Sequence, residues 1–461
     1  MGTRNKRILV VSCVIVAFAS FAGRTRSDVR PDSVALYGEK PDHLWNRVHA
    51  ALLVRTGPDD KEYGRDRLEP LLWTESQYLQ EGKSSERAVA VLDEFDRVKG
   101  EALIDDPVKR AILQRDLWLV SSWLSGAGVS HRRLESALDK AILRLALSPK
   151  QIAKLPDNYA AAVAAKKYVD RFDPEKPEES YLPPDLFRGD GPWVCVGPAD
   201  ALAAPLHYSN TPFDNSVFLV FLKLPGGREK TLDFLKRLGA LNEVLVPNKD
   251  EQTRRTAPLL PHPDFPAWPK GTEVALVRRA LVIDSGRRVA ISPLTESVQI
   301  RVVTAETPAL TKDVLEKAAN RRPPAEWQAS FEFQLRRADL FAGTAGGLRD
   351  VSGERDFKTG FNSHGWDEFD IPLNKERPFP ERSQPFATNR ASCAGCHNFP
   401  GAYGFNSVPG FEMGLRTRPL DEGAPLKRPP GPTTVPEVEK RAVKWKEGQP
   451  AWTAFIGRSE K

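Results

Sequence analysis

The stretch from Ala342 to Arg428 restricts this chain more than any other feature. Gly, Pro, Asn and aromatic residues dominate it, and no apolar residue recurs with the period of a helix or a strand. It is too long for a simple connection between elements. Its composition cannot build a large apolar core, so another apolar surface is needed to order it.

Inside that stretch lies Ala391-Ser392-Cys393-Ala394-Gly395-Cys396-His397, which contains Cys-x-x-Cys-His. The chain has only four cysteines, and two of them stand three residues apart with a histidine directly behind. Two thiols at that spacing can reach the two vinyl groups of one porphyrin as thioethers, while the adjacent imidazole is brought under the iron. A disulfide, a thioredoxin-like redox pair and half of a zinc site are the other readings of two nearby cysteines. Zinc needs two further ligands, yet no cysteine lies near and no histidine follows His397. A thioredoxin-like pair belongs in a βαβ setting, which this Pro- and Asn-rich surrounding does not offer. The expectation is one covalently bound haem c.

The other cysteines point elsewhere. Cys13 falls in the apolar run Ile8 to Gly23, which follows the basic residues Arg4, Lys6 and Arg7. Together these form the n- and h-regions of a secretory signal, with Ser20-Phe21-Ala22 supplying small residues for cleavage after Ala22. An uncleaved membrane anchor and lipidation at Cys13 are the alternatives. Cys195, in Trp193-Val194-Cys195-Val196, reads as a buried thiol on a strand. Export suits covalent haem, whose attachment takes place outside the bacterial cytoplasm. A periplasmic or otherwise exported location follows.

Ahead of the motif the chain reads as α+β, mainly α. A signal peptide over 1–22 precedes a helical domain over 36–172. There Leu44, Val48, Ala51 and Leu52 share one helix face, and Leu134, Leu138, Ala141, Ile142 and Leu145 share another. Asp106-Pro107 starts a helix with a cap and a first-turn proline. Trp73, Trp118 and Trp123 are expected in the core. Asp173 to Glu179 breaks the pattern with prolines and charge. An α+β domain over 178–320 follows, with a strand from Ser216 to Leu224, a turn at Pro225-Gly226-Gly227 and a helix carrying Leu232, Leu235 and Leu238. Val274 to Ile283 and Val289 to Val303 predict a β-hairpin, interrupted at Pro293. The last region, 325–461, begins with a helix expected from Trp327, Phe331, Leu335 and Leu340 and ends with one from Thr434 to Trp445. Gly343-Thr344-Ala345-Gly346-Gly347 matches no phosphate-binding fingerprint and reads as a turn.

Cys393-Ala394-Gly395-Cys396-His397 resembles the haem site of the c-type cytochromes, and Asn398-Phe399-Pro400-Gly401 is similar to the loop that follows it in many of them. The likeness covers about the last hundred residues, and the five-residue motif carries nearly all of it. The upstream chain also resembles that of bacterial exported proteins ending in such a segment, a likeness that brings no activity with it. By the resemblance, 325–461 is a cytochrome c-like haem-binding domain in which Cys393 and Cys396 hold the haem and His397 ligates iron. The usual distal methionine has one counterpart, Met413, since the other methionine is Met1. His364 and an open sixth position are the rivals.

Electron transfer with a redox partner protein is the leading functional expectation. A haem-dependent oxidoreductase with an open iron site and a haem-based sensor are the alternatives. The formal net charge of +6 is spread among interleaved acidic and basic residues, so no nucleic-acid partner is expected.

Overall fold

The computed structural model describes residues 35–56, 62–66, 78–79, 82–126, 131–197, 202–204, 207–208, 215–241, 245–251, 259–266, 268–306, 327–354 and 431–459. The signal segment, Trp73 and most of the Ala342 to Arg428 stretch lie outside the described residues.

The fold is α+β. Helices α1 (Leu44–Leu53), α2 (Gly82–Arg97), α3 (Pro107–Gly126), α4 (Arg132–Leu145), α5 (Pro149–Ile152) and α6 (Asn158–Ala164) come first, with a short pair of strands, β1 (Arg55–Thr56) and β2 (Glu62–Tyr63), after α1. Then follow β3 (Val194–Gly197), β4 (Ser216–Lys223), α7 (Arg228–Gly239), β5 (Leu245–Pro247), β6 (Leu259–Pro261), β7 (Glu273–Ile283), β8 (Val289–Val303), β9 (Gln328–Leu335), α8 (Arg337–Phe341), β10 (Leu348–Asp350), β11 (Gly431–Pro432), α9 (Val435–Glu447) and α10 (Pro450–Ser459). Seven strands make one antiparallel sheet in the order β10-β9-β8-β7-β4-β3-β11.

Local chemistry sets several of these boundaries. Asp106 Oδ1 accepts from the Val108 and Lys109 amides at 2.8 and 3.2 Å, so α3 starts where its first free N–H groups find a carboxylate. Thr434 and Glu437 form a reciprocal capping box that opens α9, with Pro436 in its first turn. The β7–β8 hairpin turns at Asp284, whose Oδ1 accepts from the amides of Gly286 and Arg288 at 2.8 and 3.0 Å. Pro293, which has no N–H to donate, sits where the β7–β8 register shifts. There Ser292 Oγ donates instead to the Ala280 carbonyl at 2.8 Å. Gly226 and Gly227, at φ +89° and +83°, make the expected turn before α7. The 343–347 stretch is likewise a turn, with Gly343, Gly346 and Gly347 all at positive φ.

The helix expected from Trp327, Phe331, Leu335 and Leu340 is corrected by the structure. Gln328–Leu335 is strand β9, and only Arg337–Phe341 is helical. Residues four apart share a strand face as well as a helix face, so the spacing of 327, 331 and 335 suits both. Residue-by-residue pairing of Gln328–Gln334 with β8 settles it as a strand.

One apolar core draws on Trp45, Leu92, Trp118, Trp123, Leu138, Phe221, Phe331 and Phe455. The front face of the sheet, which carries Phe221, Val277, Ile300, Phe331 and Phe333, is covered by aromatic residues of the 165–193 crossing. Tyr168 stands 4.8 Å from Phe333, Tyr181 5.3 Å from Phe331 and Phe187 5.3 Å from Phe221, ring centre to ring centre. A smaller cluster of Val194, Val196, Leu222, Phe234, Leu235 and Leu238 places α7 on the back face, at the β3–β4 side.

Candidate functional site

Cys393, Cys396, His397, Met413 and His364 lie outside the described residues, as do Asp367, Glu368 and Asp370. What the structure supplies is the frame around them. Glu354, the last described residue before this stretch, pairs through its carboxylate with Arg336 at 2.8 Å and with Arg349. The strand just before it, β10, is one edge of the sheet. The chain is described again at β11, which pairs with β3 at the opposite edge and runs straight into the capped start of α9. Both ends of residues 355–430 are therefore fixed to the same sheet.

Cys195 is the one thiol among the described residues. Cys195 is free and 8% exposed on β3, and burial pushes its thiol up to about 12. A thiol held so far from ionisation is inert at neutral pH. Among the described residues no group of His, Cys, Asp and Glu could hold a metal ion. No helix among them is long and apolar enough to cross a membrane.

Sequence reasoning missed a buried polar cluster between the helices and the sheet. Arg337 Nη2 and Nε donate to Asp116 Oδ2 at 2.7 and 3.2 Å, and Arg337 Nη1 reaches the Gly64 and Arg65 carbonyls at 3.4 and 3.3 Å. Arg115 Nη1 donates to Asp116 Oδ1 at 3.3 Å, and its Nε lies 2.6 Å from Glu296 Oε1. Arg278 stands 3.2 Å from Glu296, and the Ser216 hydroxyl donates to the same carboxylate. Tyr37 and His49 of the N-terminal helical part close the cluster, their rings 5.5 Å apart. Burial, then the field of Asp116, raises the Tyr37 phenol far above its ordinary range. Burial, then the Arg337 and Arg65 charges, holds the His49 imidazole well below its ordinary value, so His49 is neutral.

The cluster neutralises charges that would be costly to bury singly, and it ties α3 to β8 and α8. Its signal was absent from the sequence because Arg115-Asp116 on a helix reads as solvated surface. Its charged members are buried and paired with one another, an arrangement that serves the architecture. No family model matches the chain, and no curated protein or solved structure matches it.

Proposed function

We propose that this chain is an exported, c-type cytochrome-like protein that carries one haem on Cys393 and Cys396, with His397 as an iron ligand, and transfers electrons to a redox partner protein. The Cys-x-x-Cys-His spacing carries this reading. Its donor set suits haem: two thiols at thioether spacing, one imidazole directly behind them, and Cys195 held apart as an inert buried thiol. When bound, such a haem supplies a one-electron couple whose potential follows axial ligand and burial. On this reading residues 325–461 include the cytochrome c-like haem region, and the chain is mainly α. Residues 1–22 act as its export signal or, left uncleaved, as a membrane anchor.

An oxidoreductase with an open iron position is the second reading. It is favoured by the large body of folded chain upstream of the motif, which simple electron transfer does not require.

The test is expression with a working haem-attachment system, followed by denaturing electrophoresis and staining for haem peroxidase activity. The native chain should stain, and Cys393→Ser/Cys396→Ser should not. Staining that survives the double substitution refutes covalent attachment at these residues.

A further inference from the structure

Two of the seven histidines stand on one short element, at the start and in the middle of α1. Each is held where a neutral imidazole fits and a charged one does not. His43 caps the helix, its Nδ1 accepting from the Trp45 amide at 3.2 Å. Its ring packs so closely over Gly38 that a Cβ built there would meet it at 2.3 Å. A protonated Nδ1 is a donor and can no longer accept the amide. His49 is buried, and among the described residues its Nε2 has no hydrogen-bond partner. Asp116, the carboxylate that faces Tyr37, is already engaged by Arg337 and Arg115, with the Tyr37 hydroxyl 3.5 Å away.

We propose that residues 35–53 form an acid-released latch: protonation of His43 and His49 frees this segment from α2, α3 and α8 while the sheet stays folded. The groups around the two rings favour release. Burial, then Arg337 of α8 and Arg65 beyond β2, works against a charge on His49. Burial, then Lys109 of α3, works against one on His43, while Asp42 favours it. Tyr37 stays neutral, and α2 contributes Glu94, which pairs with Arg47 at 2.5 Å. Both imidazoles regain the ordinary histidine range once freed, so the latch holds above that range and loosens as the pH falls below it. His49 makes opening about tenfold easier for each pH unit below ~6.5, and His43 adds to this until its closed form is itself protonated.

Release is local because the histidines are. None of the strands β3, β4, β7, β8, β9, β10 and β11 carries one, and neither do helices α2, α3 and α4. α1 belongs to no sheet. Its buried face of Trp45, Val48 and Leu52 holds it, with single hydrogen bonds from Trp45 Nε1 to the Gly100 carbonyl at 2.7 Å and from the Tyr78 hydroxyl to the Ala51 carbonyl at 2.9 Å. A helix held in this way can open as its own unit and leave the strand ladder intact. Opening uncovers Phe95 and Phe341, whose rings Trp45 and Tyr37 meet at 6.3 and 5.1 Å.

The test is hydrogen–deuterium exchange of the full chain, read by mass spectrometry at pH 7, 6 and 5 with each rate corrected for the intrinsic pH dependence of exchange. Amides of 44–53 are expected to lose protection about tenfold or more from pH 6 to pH 5, while those of β7 keep theirs. His43→Asn/His49→Phe, which leaves an acceptor at the cap and a neutral ring in the core, should hold the segment closed across the range. His43→Asn/His49→Gln repeats the measurement should the phenyl ring disturb packing, which protection at pH 7 reveals. Protection of 44–53 that does not change with pH, a loss shared equally by β7, or a loss that persists in both variants would overturn the latch.

Discussion

Arg337 and Asp116 meet at 2.7 Å with side chains 1% and 0% exposed, and they join the start of α8 to the middle of α3. A buried pair of this kind adds little net stability over an apolar one, because desolvation offsets most of the attraction. Removing one partner is different, since it strands the other charge inside the protein. Asp116→Ala should therefore destabilise the chain by about 3–5 kcal/mol. The double substitution Asp116→Leu/Arg337→Met should cost less than either single change. Urea unfolding midpoints of Asp116→Leu, Arg337→Met and the double substitution decide this, and additive losses would show that the pair is not coupled.

His49 gives the protein a pH dependence whose sign is fixed. Its imidazole is 1% exposed, and burial holds its titration well below the ordinary histidine range when folded. Below pH 6.5 the unfolded chain takes up a proton here that the folded chain does not, so stability falls as the pH drops and levels off above that point. The full slope for one such group is about 1.4 kcal/mol per pH unit. Comparing unfolding free energy at pH 5.5 and 7.5 in the native chain and in His49→Phe isolates it. The substitution should flatten that part of the profile, and an unchanged slope would assign the acid sensitivity to other groups.

Gly346 is held at φ +61° against α6, where the Asn158 side-chain amide donates to its carbonyl at 3.0 Å. A Cβ built there would lie 1.9 Å from the Asn158 carbonyl oxygen, a backbone atom that cannot swing aside. Gly346→Ala should cost about 2 kcal/mol or more, combining left-handed backbone strain with displacement of α6. Gly343→Ala is the control, because it has a similar φ of +67° and nothing within 4 Å. Thermal melts showing equal shifts for the two would mean that strain alone, and not the contact with α6, is at work.

Much of this fold was legible because single residues punctuate it. Asp106-Pro107, Thr434-Val435-Pro436-Glu437 and Pro225-Gly226-Gly227 each fix a boundary by donor loss or by backbone freedom, and the structure uses all three. β9 was illegible for a physical reason. Gln328 to Leu335 alternates polar and apolar residues as a strand does, but Trp327, Phe331 and Leu335 also recur at the four-residue spacing of a helix face, and that spacing competes with the alternation. The Arg115–Asp116–Glu296–Arg337 cluster was hidden for another reason, since nothing local distinguishes a charge buried by residues two hundred positions away. The haem motif lies at the other extreme. The proposed haem reading rests on five adjacent residues and needs no knowledge of the fold.

The distal ligand offers the sharpest remaining division among readings of the haem segment. Met413 is the single methionine besides Met1, it follows His397 as the distal methionine does in c-type cytochromes, and Gly410 and Gly414 flank its loop. Thioether ligation raises the potential relative to two imidazoles, so Met413→Ala should lower it and open the iron to added ligands. A methionine-ligated ferric haem c also has a weak charge-transfer band near the red end of the spectrum, which the substitution should abolish. If band, potential and cyanide affinity all stay as they were, Met413 merely packs, as methionine does in irregular gaps. His364→Ala then decides between the two remaining readings. Loss of the low-spin spectrum in that variant assigns the ligand to His364, while a native chain that is already high-spin leaves the sixth position open and favours the oxidoreductase.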